Sequence, residues 1–581
     1  NPVVTFKHTT RIQRTVHLIG SLSGTYHFEP WLSLHTQFGM DWRYVHYTRI
    51  SDPIVAPAEG GFNRQDYHTT PNFDTKTTLN FSKSFNDANN VSALVGIEYR
   101  RDYTRFARVE SQGFLSGRLV SVLSGGSKPT TAVGYNQEYR RGGYFANVKY
   151  NYKQRYYVNV TGRYDGSSRF GSNNRFGFFP AASAAWDISS ENFFNANWVN
   201  DLKLRVSYGS SGNSELGRYR ALSLFGLSGS YDGQTGLAPT QLANKNLTWE
   251  KATTLDLGID YSMFSGRLHG SVDGYRRINS SLLLNAPLPA ISGFNSIGKN
   301  IGKTRNEGVE FSLHSVNVQT GGFRWNTNFN ITVQRNTVKK LIGNQKELNP
   351  GSITPVAVGH SINALKIWKW AGVDPADGRP LWYDKNGHLT HLPTNSDRQF
   401  VGSGDQSVIG GFGNSFKYKG LQLSVFFQYS YGQMAAPVDV WAFGMAQVGS
   451  THSNGVKGLL KKAWHHQGQF AQFPYPQWGP SQYPGTQYYS DGRNGAQFYS
   501  TAYVRLKNAT LSYNLPQTVV SAMHMRSVQF FVTGLNLLTF THYPGFDPEV
   551  AGSTNGFNNS TNQRASFPAA RVINGGITVK F

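Results

Sequence analysis

The sequence predicts an all-β fold, a transmembrane antiparallel β-barrel, on three observations. Alternate residues are apolar in one short segment after another. The connections between those segments are short and long by turns. Aromatic residues and glycine abound (31 Tyr, 38 Phe, 12 Trp and 62 Gly) while cysteine is absent.

Alternation with period two is the pattern of a strand that meets lipid on one face and water on the other. Phe323, Trp325, Thr327, Phe329, Ile331 and Val333 share one face, and Arg324, Asn326, Asn328, Asn330, Thr332 and Gln334 the other. No soluble core could bury the second set. Leu421, Leu423, Val425, Phe427 and Tyr429 alternate in the same way with Gln422, Ser424, Phe426, Gln428 and Ser430, and Leu255, Leu257, Ile259 and Tyr261 with Asp256, Gly258 and Asp260. About seventeen strands result, beginning near residues 15, 31, 75, 90, 141, 154, 178, 202, 252, 267, 306, 323, 407, 420, 502, 527 and 570. Tyr, Trp and Phe recur towards strand ends, where amphipathic rings sit at membrane interfaces.

Between the strands, short turns such as Phe28-Glu29-Pro30, Phe264-Ser265-Gly266 and Thr320-Gly321-Gly322 alternate with long connections at 51–74, 112–140, 210–250, 337–406 and 431–500. Short periplasmic turns and long external loops are the asymmetry of outer-membrane barrels. If the last strand ends in the periplasm, the long connections all fall outside. An even-numbered barrel then needs an odd number of further strands upstream, so the expectation is that this chain is part of a longer one. Ile577, Val579 and Phe581 share a face of the last strand, and that ending resembles the signal read by barrel-assembly machinery.

Length and composition exclude other classes. No composition break divides the 581 residues, so residues 1–581 are expected to form one repetitive domain. No run of about 18 apolar residues exists, which removes a helical membrane span. The absence of cysteine suits the cell envelope, and Asn1-Pro2-Val3-Val4 has no export-signal character. The net charge of +23 is spread singly along strands and loops, without the basic stripe of a nucleic-acid reader. It suits lipid and lipopolysaccharide head groups or a lumen that attracts anions. A soluble glycan-binding propeller would repeat every 40–50 residues or so, and the spacing here is irregular.

Several motifs resemble the SusC/RagA family of TonB-dependent outer-membrane transporters along essentially the whole chain. They are Arg163-Tyr164-Asp165-Gly166-Ser167-Ser168-Arg169-Phe170 with Phe179-Pro180 and Ala185-Trp186, then Leu204-Arg205-Val206-Ser207-Tyr208-Gly209, Asn246-Leu247-Thr248-Trp249-Glu250, Asn300-Ile301-Gly302 and Asn306-Glu307-Gly308. Ala371-Gly372-Val373-Asp374-Pro375, Tyr503-Val504-Arg505-Leu506-Lys507-Asn508 and Gly545-Phe546-Asp547-Pro548-Glu549 continue the series. As residues they read as architecture, with Asp165-Gly166 and Asn306-Glu307-Gly308 offering turn chemistry. The resemblance implies a barrel of about 22 strands, of which about seventeen are present here. It also implies an N-terminal plug and a TonB box, both absent from this chain, the TonB complex, and a SusD-like surface lipoprotein over the extracellular mouth. The implied function is TonB-energised import of oligosaccharides or peptides across the cell outer membrane, with a structural or secretion-associated pore as the alternative.

No enzyme motif, cofactor or metal site is expected. The 16 histidines and 33 acidic residues are scattered, and His465-His466 would point oppositely in a strand. Asp374 and Asp377 in Asp374-Pro375-Ala376-Asp377-Gly378 lack the later ligands of a calcium loop and read as a turn. The loop at 431–500 is rich in rings. Trp441, Trp464, His465, Phe473, Trp478, Tyr483 and Tyr488 are candidate ligand contacts, because aromatic faces stack on sugars and peptide side chains. The alternative is that they pack the loop into a small core of its own.

Overall fold

The structure, a computed structural model, describes residues 2–86, 88–232, 234–343, 345–437, 459–475, 493–549, 562–563 and 568–581. Seventeen of its strands join in one sheet. We number these β1 (Thr9–Glu29), β2 (Leu32–Ser51), β3 (Phe62–Ser84), β4 (Asn89–Phe114), β5 (Gly126–Tyr152), β6 (Tyr156–Ser167), β7 (Phe176–Asp187), β8 (Val199–Asn213) and β9 (Glu250–Met263). The remainder are β10 (Leu268–Ser280), β11 (Lys303–Thr320), β12 (Phe323–Lys340), β13 (Val408–Tyr418), β14 (Leu421–Tyr431), β15 (Tyr503–Asn514), β16 (Ser527–Thr541) and β17 (Val572–Lys580). The chain divides into two compact units. One holds Asn1–Ala185, Ser207–Thr253 and Ser280–Ile301, the other Trp186–Val206, Thr254–Asn279 and Gly302–Phe581.

In the first unit β1 to β6 form an up-and-down meander in which each strand pairs antiparallel with the next. Cross-strand neighbours keep the faces apart: Ile97, Tyr144 and Tyr164 stand in one row, and Gly96, Phe145 and Arg163 in the next. On the apolar face Val95, Ile97, Tyr144, Val148, Val158, Val160 and Tyr164 are all exposed. Leaving such side chains in water forfeits about 1.5–3 kcal/mol each relative to burial, and a contiguous belt of them marks a membrane-facing surface. The opposite face carries ion pairs: Asp66 between Arg64 (2.7 Å) and Arg108 (2.8 Å), Arg163 between Glu98 (2.6 Å) and Asp165 (2.9 Å), and Arg100 with Asp102 (2.7 Å).

In the second unit β11 to β17 likewise pair in chain order. The turn between β11 and β12 shows why. Gly321 and Gly322 both have positive φ, 56° and 82°, the backbone of a two-residue hairpin whose twist matches its strands.

Three strands begin earlier than the alternation predicts. β1 starts at Thr9, β3 at Phe62 and β5 at Gly126, so the connections expected at 51–74 and 112–140 shrink to 52–61 and 115–125. The cause is length. β3, β4 and β5 run 23, 26 and 27 residues, whereas about 9–11 cross a bilayer. Beyond the bilayer neither face needs to be apolar, and the period fades. The connection at 337–406 is also not a plain loop. It holds a four-stranded sheet of Ala364–Val373, Pro380–Tyr383, Leu389–Thr390 and Arg398–Ser403.

Asp165-Gly166 and Asn306-Glu307-Gly308 are strand residues rather than turns, in β6 and β11. The glycines make room for rings. A Cβ on Gly166 would lie 2.5 Å from the Phe176 ring, and one on Gly308 2.9 Å from the Tyr275 hydroxyl.

Candidate functional site

The polar face of β11 and β12 in the second unit opens onto a cavity of about 580 Å³. Alternation brings Asn306, Gln334 and Asn336 to it, and connecting segments close it. Asn336 Nδ2 donates to Asn306 Oδ1 (2.6 Å) while its own Oδ1 accepts from Ile362 N (3.0 Å). Gln334 Nε2 donates to the Gln406 carbonyl (3.1 Å). Asp405 accepts from Ser361 Oγ and from Asn363 Nδ2 (2.6 Å), which ties 361–363 to 405. Tyr275, Arg335, Gln433 and Glu549 complete the lining.

Glu549 is fixed from behind. Lys507 Nζ donates to both its carboxylate oxygens (2.7 and 2.8 Å) and Arg505 Nη1 to one (2.5 Å). The other arm of Arg505 pairs with Asp547, and both of those residues are buried. Asp547 also accepts from Ala569 N (2.8 Å) and Glu549 N (3.0 Å). Burial alone would raise the Asp547 carboxyl, but Arg505 and these backbone donors outweigh it and hold the carboxyl below its usual range. The sequence motifs at 503–508 and 545–549 therefore meet in space as one clamp.

The four-stranded sheet of the 337–406 connection carries its own core of Trp368, Trp382, Ala463, Phe473 and Ala496. Trp382 Nε1 donates to Asn494 Oδ1 (2.9 Å) and Trp368 Nε1 to the Thr394 carbonyl (2.7 Å). Sequence reasoning did not single out Trp368 or Trp382. Their signal was a short alternation beside the Asn386-Gly387 turn, hidden inside a stretch too long and polar to read as sheet.

Of the aromatic loop candidates, Phe473 lies in that core. Trp464 packs on Gly378 and donates to the Pro375 carbonyl (3.1 Å). His465 is exposed. Trp441, Trp478, Tyr483 and Tyr488 lie outside the described residues. Ile577 and Val579 sit opposite Phe530 and Val528 on β16, with Phe581 exposed after them.

Asp374 to Gly378 forms a turn, with Ala376 N donating to Asp374 Oδ1 (2.9 Å). It brings Asp374, Asp377 and His391 within 4.8 Å of one another. Their partners are internal: Arg379 Nε donates to Asp377 (2.6 Å), and His391 stands 3.4 Å from Asp374.

The barrel family described as TonB dependent receptor-like matches residues 6–537. TonB-dependent receptor P3 of Formosa agariphila is 30% identical over 96% of this chain and 57% of its own length. TonB-dependent receptor SusC of Bacteroides thetaiotaomicron is 26% identical over 90% of this chain and 52% of its own. Among solved structures, the RagAB peptide transporter superposes with a TM-score of 0.86 at 26% identity, covering 99% of this chain and 63% of that one. The chain thus spans less than two thirds of the relatives it matches. Family match, relatives and the exposed apolar face agree: the chain belongs to the TonB-dependent receptor β-barrels of the SusC/RagA family and is a transmembrane antiparallel β-barrel of the outer membrane.

Proposed function

We propose that the protein containing this chain is a TonB-energised importer that takes up oligosaccharides or peptides beneath a SusD-like surface lipoprotein. The observation that carries this reading is the likeness to the RagAB peptide transporter over 99% of the chain. In this reading residues 1–581 are the barrel wall, and a plug and TonB box are supplied by the rest of the protein. Cargo is trapped between lid and plug. Pulling on the plug by the TonB complex opens a path along the polar face, where ion pairs such as Arg163 with Glu98 and Asp165 keep the wall wet.

The ring-rich loop, with Trp441, Trp464, His465, Phe473, Trp478, Tyr483 and Tyr488, has two roles in this reading. Phe473 and Trp464 serve packing, as their contacts with Trp368, Trp382 and Gly378 suggest, and the remaining residues are the cargo or lid contacts of this reading. Ile577, Val579 and Phe581 serve as the assembly signal, and the apolar belt meets lipid and lipopolysaccharide. No catalytic step is required.

The test expresses the complete reading frame in its native host with an affinity tag. An importer gives a heat-modifiable outer-membrane band that copurifies with a lipoprotein, and deleting its TonB box abolishes growth on the cargo while leaving the band. Growth unchanged by that deletion would favour the pore and overturn the importer.

A further inference from the structure

We infer that the lipid-facing side of β3 to β6 is a docking site for a phosphorylated lipid of lipopolysaccharide type, its acyl chains in an apolar groove and its phosphate on Arg101, Arg105 and Arg140. The inference rests on the reading above, in which this belt meets lipid, and places one particular lipid on it.

The belt is not uniform. Where Thr77, Ala146 and Gly162 stand among Leu79, Val95 and Phe178, the small side chains leave an apolar groove of about 540 Å³. That volume falls within the range of roughly 300–1,000 Å³ typical of small-ligand sites. Along the same face, towards the long connections, pairing sets Tyr99 opposite Gly142 and Arg101 opposite Arg140. Tyr103 opposite Glu138 and Arg105 opposite Asn136 follow. About 9–11 strand residues cross a bilayer, and counted from Val91 at the short-turn end of β4 that span ends near Arg101. Ile97 borders the groove, and Arg101 lies roughly 13 Å further along the strand. The arginines therefore stand at the outer head-group level, with Tyr99 and Tyr103 beside them as interfacial rings.

The charge at that level is unbalanced. Arg101 and Arg140 both donate through Nε to the same oxygen of Glu138, Oε1, at 2.7 and 2.5 Å. Among the described residues their terminal amino groups bond nothing, and the two side chains are 43% and 57% exposed. Arg105 reaches Asn136 Oδ1 at 3.4 Å and pairs with no acid among the described residues. Three guanidinium groups thus share one carboxylate on a surface turned to lipid. On the other face of the same strands the arginines find acids, Arg100 on Asp102 and Arg163 on Glu98 and Asp165. Basic residues at a membrane surface attract anionic head groups, and a guanidinium fork can hold two phosphate oxygens at once. Free phosphate would engage the arginines and leave the groove in contact with bulk lipid. An uncharged lipid would fill the groove and leave the arginines unmatched. A phosphorylated lipid uses both.

The experiment takes the full-length protein, delipidated in nonionic detergent, and titrates it with fluorescent lipid A. Unlabelled lipid A, lipid A stripped of its phosphates and inorganic phosphate serve as competitors. The expected result is saturable binding that unlabelled lipid A displaces and the other two do not. Arg101→Gln, Arg105→Gln and Arg140→Gln should each weaken it about fivefold, the effect of one basic residue at an anionic membrane surface. Glu138→Gln, which frees two arginines, should tighten it by about the same factor, a gain that misfolding cannot mimic. Ala146→Phe, which fills the groove without touching a charge, should weaken it severalfold. Arg141→Gln, next to Arg140 on the opposite face of β5, should leave it unchanged. Absence of saturable binding overturns the inference, as does equal displacement by the stripped lipid, full displacement by inorganic phosphate, or equal loss in Arg140→Gln and Arg141→Gln. The importer reading fails separately, through loss of TonB dependence, and lipid titration of the purified protein does not depend on it.

Discussion

Arg505 on β15 and Asp547, in the segment that follows β16, form an ion pair with both side chains almost wholly buried, at 3% and 2% exposure. Arg505 is a hub. It also bonds Glu549 and the Thr539 hydroxyl (3.0 Å), so one guanidinium fork joins a strand to the segment that borders the cavity. Removing one partner of a buried pair strands the other charge, at a cost of about 3–5 kcal/mol. Arg505→Ala and Asp547→Asn should therefore speed proteolysis at 542–549 and 568–571 and lower the heat-modification midpoint of the purified barrel. Arg505→Lys keeps the charge but loses the fork and should recover only part. Equal proteolysis in wild type and Arg505→Ala would show that the clamp does not hold the segment.

The same clamp sets a pH dependence. Asp547 has its carboxyl below the usual range in the fold, so ionised Asp547 favours the folded segment. That contribution is complete above the ordinary carboxylate range and is lost as pH falls through the lowered folded value. Protection against hydrogen exchange at Ala569 and Glu549, whose amides Asp547 accepts, should hold from neutral pH to the top of the ordinary carboxylate range and decline progressively below it, down through the lowered folded value. In Asp547→Asn the acid step should vanish. Protection that declines already between pH 7 and 6 would assign the step to another group.

A smaller effect is expected at Asp397, which closes a capping box with Thr394. Thr394 N and Oγ1 donate to its Oδ2 at 2.7 and 2.6 Å, and Lys385 N to its Oδ1 at 3.1 Å. Burial raises the carboxyl, but these bonds bring it below its usual range. Thr394→Val removes one donor of the box and should cost about 1 kcal/mol. The readout is faster exchange at Lys385 with no change at Ala569; a change at both would mean the two regions unfold together.

How far the sequence could be read follows from where lipid is. Each strand of the large sheet had a period-two signature along part of its length, because lipid demands an apolar residue at every second position. The early residues of β3 carry no such signature. Asn63, Gln65 and Asp66 there are buried among polar partners, the Asn63 amide on the Val120 carbonyl (2.7 Å), and a polar packing of that kind has no period to read. The family motifs were legible as architecture, but not their partnerships. Nothing in the spacing says that Arg505 meets Asp547, or that Leu247 and Trp249 pack with Phe170 and Phe179. The cavity was illegible for the same reason, since Tyr275, Asn306, Gln334 and Asn363 are brought together only by pairing and by segments that fold back.

The Phe170, Phe179 and Trp249 cluster of the first unit gives a packing test. Gly212 lies under it, and an added Cβ would stand 2.2 Å from Phe179 Cζ and 2.8 Å from Trp249 Cε3. Both rings are buried and wedged against each other (5.3 Å between centroids), so neither can yield cheaply. Gly212→Ala should cost about 1–3 kcal/mol as an overpacked site, visible as a lower heat-modification midpoint. Gly212→Ala combined with Phe179→Leu should regain part of the loss, and failure to do so would place the strain elsewhere.

The two faces of β5 meet different surroundings. On β5, Val148 stands opposite Val160 and is exposed on the apolar face, while the next residue, Lys149, stands opposite Asn159 on the polar one. Water on both sides would make Val148→Arg nearly neutral. Lipid against one side makes it cost about 2–4 kcal/mol near the bilayer midplane, falling towards the interfaces. We expect Val148→Arg to depress the folded fraction in bilayers and Lys149→Arg to leave it unchanged, measured by urea titration in vesicles. In both variants the backbone pairing of β5 is preserved, so any difference reports which face meets lipid. Equal effects of the two would contradict the assignment of Val95, Ile97, Tyr144 and Val160 to the membrane surface.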